Sequence, residues 1–72
     1  MENELTVETK RQIIGQQIIE WVAARYSLQL QYKVQKGLDN KDGQANIEKR
    51  LLDCEKALDM LQKELEALAQ PA

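Results

Sequence analysis

The stretch Ile47–Leu68, IEKRLLDCEKALDMLQKELEAL, decides the fold. Apolar residues fall at Ile47, Leu51, Cys54, Leu58, Leu61, Leu65 and Leu68, an unbroken 4-3-4-3-4-3 spacing. On a helix that spacing draws one narrow apolar stripe, a heptad seam, and a stripe of this kind is stable only against a second helix. The stripe therefore needs a partner helix.

At 72 residues the chain is one small domain. Domains of this size gather only a few kcal/mol from a single core, and most add disulfides, a metal or oligomerisation. One cysteine allows no internal disulfide, and the absence of histidine removes the commonest metal ligand and the usual neutral-pH general base. Oligomerisation is the support that remains. A net charge of −2, with both signs interspersed, points to neither a nucleic-acid-binding surface nor an acidic tail. The start MENELTVETKR lacks the basic and apolar regions of a secretory signal, and no apolar run approaches the ~18 residues of a membrane span. With the lone cysteine, these features predict an intracellular, cytoplasmic protein.

The partner helix lies upstream. Residues 1–5 carry little to bury and are expected to fray. Thr6 is a candidate N-cap with Glu8 in the first turn, and Thr9 with Gln12 makes a rival capping box. Gly15 is an isolated helix-interior glycine, either tolerated or admitting a close approach. Leu28, Leu30, Tyr32 and Val34 alternate with polar residues as a half-buried strand would, yet the same residues satisfy helical rows, Tyr26–Leu30–Val34 and Leu28–Tyr32. The ends decide for helix: Gly37 fits a left-handed C′ position, Leu38 an apolar C″ residue reaching Tyr32, and Lys33 and Lys36 the cationic last turn. No second strand is present to pair with a first. The loop then predicts Asp42 as the next N-cap, with Asn46 as fallback, and Pro71 just beyond the second helix. The prediction is a single all-α domain over 1–72, with helix 1 at about 6–36, a loop at 37–42 and helix 2 at about 43–69. It is a long antiparallel helical hairpin, coiled-coil-like, with arms of roughly 40 Å, dimerising into a four-helix bundle.

Extending the heptad count to helix 1 selects Val7, Arg11, Ile14, Ile18, Trp21, Arg25, Leu28 and Tyr32. Folding at 39–40 sets Tyr32 by Leu51, Leu28 by Cys54, Trp21 by Leu61, Ile18 by Leu65 and Ile14 by Leu68. Arg25 falls beside Leu58 and is expected to lay its stem along the seam and reach Glu55 or Asp59. Helix 1 carries more apolar surface than one partner covers: Ile19, Ala23, Tyr26 and Leu30 form a second row, with Val22 between the rows. Leu52 and Met60 are lesser outward apolar positions of helix 2. Together with Trp21, the second row gives the predicted interface: Ile19, Trp21, Ala23, Tyr26 and Leu30. Its expected occupants are a second copy of the chain or another protein.

Chemistry is sparse. The loop Asp39-Asn40-Lys41-Asp42-Gly43 resembles an EF-hand only superficially, because Leu38 and Lys49 stand where calcium requires carboxylates. Cys54 lacks an activating histidine and sits on the seam, as a small buried hydrophobe. Asp59 and Lys63 form an ordinary i, i+4 surface pair. No catalytic, metal or cofactor site is predicted. The expected function is a non-catalytic protein–protein interaction or scaffold module. The alternative is a small regulatory nucleic-acid-associated protein that would meet polyanions through Lys33, Lys36, Lys41 and Lys49 around the turn, which the net charge disfavours.

Overall fold

The computed structural model of the chain describes residues 5–69. Over this range the protein is two helices, α1 (Val7–Gly37, 31 residues) and α2 (Lys41–Ala69, 29 residues), with no strand among the described residues. They pack side by side as a helical hairpin measuring 55 × 17 × 16 Å. Its radius of gyration, 16.7 Å, far exceeds the ~11 Å of a compact domain of this length. A rod two helices thick gives each helix only one neighbour, so much of its surface stays wet. Leu28–Val34 is helical, as expected. The expectations for residues 1–4 and for Pro71 fall outside the described residues.

Thr6 is the N-cap of α1: its Oγ1 accepts from the Thr9 amide at 3.0 Å, and its carbonyl accepts from the Lys10 amide at 2.9 Å. The rival cap, Thr9, lies inside the helix. Glu8 occupies the first turn, where the macrodipole favours an anion.

The reversal departs from the expected form at three positions. Gly37 is not left-handed. The Leu38 amide still donates to the Val34 carbonyl (3.0 Å), so α1 runs through Gly37, and Leu38 is the C-cap, exposed rather than folded onto Tyr32. The left-handed residue is Asp39, with φ 55°. Its amide donates to Lys36 O (3.1 Å) while Asn40 N donates to Gln35 O (2.9 Å), the paired bonds of a Schellman end, set two residues later than the glycine implied. The N-cap of α2 is Asn40, not Asp42 or Asn46. Asn40 Oδ1 accepts from the Gly43 amide at 3.0 Å, and its carbonyl accepts from the Gln44 amide at 3.0 Å.

The physical reason is economy of chain. Asn40 closes both helices at once, since its Nδ2 also donates to Gln35 Oε1 at 2.8 Å, and the connection shrinks to three residues. Asp42 moves into the first turn of α2, where its charge still complements the dipole. Gly43 makes this possible, because a Cβ there would lie 2.7 Å from Gln35 Oε1 and 3.0 Å from Asn40 Nδ2. Asn40→Ala is expected to cost about 1 kcal/mol through the lost cap. Asp39→Gly should gain about 1 kcal/mol by relieving the left-handed side chain. In thermal melts at one protein concentration, the two variants should move the midpoint in opposite directions, by several degrees each.

The core is short. Leu28, Ile47 and Cys54 are buried, and Tyr32 and Leu51 pack against them. These layers match the expected register, and Tyr32 Oη donates to Glu48 Oε2 at 3.4 Å on the same side of the hairpin. Farther from the turn, Ile14, Ile18, Leu58, Leu61, Leu65 and Leu68 are only half-buried. Val7 and Arg11, expected on the seam, are exposed. The expected register, Ile14 by Leu68, sets them opposite positions beyond Ala69, outside the described residues.

Candidate functional site

With one face of α1 against α2, the second apolar row stands in solvent. Ile19 is 63% exposed, Tyr26 62% and Leu30 45%, and Val22 and Ala23 are exposed beside them. Val34 continues the row and is exposed as well. The predicted interface omits it, although its i, i+4 spacing from Leu30 is the sequence signal that places it on the same row. α2 contributes exposed Leu52 and Met60.

The predicted interface residues are not one surface. Tyr26 and Leu30 line a shallow groove with Gln29, Tyr32, Lys33 and Leu51, open on one side of the hairpin. Trp21 lines a different groove, with Ala24, Ser27, Leu28, Gln31, Arg50, Asp53 and Cys54. A helix turns ~100° per residue, so Trp21 and Tyr26, five positions apart, diverge by ~140°. Trp21 is a rim residue of the seam, 37% exposed. Ile19, Ala23, Tyr26 and Leu30 form a face without it.

Arg25 is half-buried, as a seam arginine laid along its stem would be. It forms no ion pair among the described residues, however. Asp59, one of its expected acceptors, instead holds Lys63 at 3.1 Å across an exposed i, i+4 pair. Such a pair contributes about 0.3–0.5 kcal/mol, whereas a seam arginine would have had to order a longer side chain for a similar return.

Cys54, 2% exposed, is packed with Leu28 and Ile47. Its thiol fills the seam like any small apolar group. No group of three His, Cys, Asp or Glu side chains able to hold a metal ion is present among the described residues. Lys33 borders the Tyr26 groove, while Lys36, Lys41 and Lys49 are exposed around the turn, interspersed with Asp39, Asp42 and Glu48. No described helix is long and apolar enough to cross a membrane. Compared with protein-family models, curated proteins and solved structures, the chain gives no match in any of the three.

Proposed function

We propose that this protein is a non-catalytic protein–protein interaction or scaffold module that works as a homodimer, two hairpins joined through the outer row of α1 so that four helices form one bundle. The observation that carries this reading is the imbalance between what the hairpin buries and what it leaves wet. Among the described residues three side chains are buried, whereas Ile19, Val22, Tyr26, Leu30 and Val34 stand exposed along one helix.

Magnitudes support pairing. Completing the burial of a half-exposed aliphatic or aromatic side chain is worth roughly 1 kcal/mol, half of the usual full-burial value. Ten such side chains across a twofold interface supply about 10 kcal/mol. Set against the ~4–15 kcal/mol lost in rigid-body freedom, this leaves at most about 6 kcal/mol, so the expected association is weak, in the range of tens of micromolar or above. A larger protein would then dock on the surface the dimer leaves open, with Trp21 and its groove as the aromatic anchor. Sedimentation equilibrium from low to high micromolar concentration tests the first step. A reversible shift from monomer to dimer supports the reading, and a monomer throughout rejects it.

A further inference from the structure

The seam on α1 has a shadow one residue further on. Adding one to each seam position from Val7 to Tyr32 gives Glu8, Gln12, Gly15, Ile19, Val22, Tyr26, Gln29 and Lys33, a second heptad row ~100° round the helix from the first. It runs along the face whose apolar members stand in solvent, and it is a palindrome of complementary chemistry. About the midpoint between Glu20 and Trp21, Glu8 mirrors Lys33, Gln12 mirrors Gln29, Gly15 mirrors Tyr26 and Ile19 mirrors Val22.

From this arrangement we infer that the dimer is antiparallel, α1 against α1 of a second copy, with its twofold axis passing between Glu20 and Trp21. The inference rests on the self-association proposed above and fixes its direction and register. Antiparallel pairing sets acid against base at both ends, amide against amide next, large against small, and aliphatic against aliphatic at the centre, each layer occurring twice. Glu8 and Lys33 are both exposed in the hairpin and available for this use.

Gly15 and Tyr26 supply the steric half of the match. A Cβ at Gly15 would meet nothing within 4 Å inside the hairpin, so the hairpin gains nothing from a glycine there. Tyr26 projects 62% exposed from the same face. In the antiparallel register the phenol ring of one copy lies over the gap at Gly15 of the other, where the missing side chain leaves it room. A parallel pair would instead juxtapose Glu8 with Glu8, Lys33 with Lys33, and ring with ring, and like charges across a helical seam are destabilising.

Two measurements test this. The first is sedimentation equilibrium on charge variants at low salt. Glu8→Lys and Lys33→Glu should each weaken the dimer about tenfold, by turning two attractive pairs into two repulsive ones, and the double variant should restore wild-type affinity. Gly15→Leu should weaken the dimer about a hundredfold by filling the space the ring needs, while leaving helix content at or above wild type. The second measurement is the spin-label distance between copies of Lys36→Cys in a Cys54→Ala background. Antiparallel pairing places the two sites about 46 Å apart along the axis, and parallel pairing places them under about 20 Å apart. A dimer whose affinity ignores the charge variants, or whose labels lie close together, overturns the antiparallel register while leaving the interaction row intact. A wild-type chain that never dimerises overturns both readings.

Discussion

Ile19→Glu is expected to abolish self-association while leaving the hairpin folded. The side chain is 63% exposed and contributes little to the packing of α1 on α2, and glutamate has a better helix propensity than isoleucine. The cost therefore falls on the dimer. In the proposed register Ile19 and Val22 flank the twofold axis, so the variant places two carboxylates close together in the driest part of the interface. Two lost apolar burials at roughly 1 kcal/mol each, with desolvation of two charges that have no partner there, exceed 3 kcal/mol, or more than a hundredfold in affinity. Leu30→Glu lies toward the edge of the row and should weaken pairing by less. At concentrations where the wild type is dimeric, Ile19→Glu should sediment as one species near 8.3 kDa, with far-UV circular dichroism still strongly helical. If it dimerises like the wild type, Ile19 is outside the interface and α1 is not its centre.

The seam was legible because it is a one-dimensional signal. Ile47, Leu51, Cys54 and Leu58 repeat at heptad spacing, and one helix partner accounts for all of them. The same counting found Leu28 and Tyr32 opposite and identified Ile19, Tyr26 and Leu30 as surplus. Two things were hidden, for different reasons. The turn depends on backbone bonds and not on side-chain type: glycine at 37 permits a left-handed residue without requiring one. The chain instead placed the strain on Asp39, because doing so let Asn40 cap α2 and bond Gln35 together. Residue type groups Trp21 with Tyr26, whereas angle separates them. Both are aromatic anchors by chemistry, yet helical geometry sends them to different grooves. The twofold character of the row from Glu8 to Lys33 was present in the letters throughout. It became visible only once the hairpin showed which face was already occupied and that Gly15 meets nothing within it.

Ile47→Asp should unfold the hairpin. Ile47 is 6% exposed and packs with Leu28 and Cys54 in the buried cluster found among the described residues. Replacing it removes roughly 1.5–3 kcal/mol of burial. It also forces a carboxylate either to desolvate or to take up a proton, a further cost of several kcal/mol. A chain of this size holds only about 3–5 kcal/mol in total, so the sum exceeds what the fold has. Far-UV circular dichroism at 25 °C should show most of the helix signal lost, since isolated helices depend on packing more than on propensity. Met60→Asp is the matched control: the same new charge, on the same helix, at a position 67% exposed, should change the signal little. The proposed dimerisation is linked to folding, so raising the concentration of Ile47→Asp should recover part of the helix. The same increase should do nothing for an Ile19→Glu, Ile47→Asp double variant, whose interface is also gone. A wild-type melting curve for Ile47→Asp would show instead that the half-buried layers of Ile14 and Ile18, with Leu65 and Leu68 on α2, hold the hairpin, and that the cluster near the turn does not.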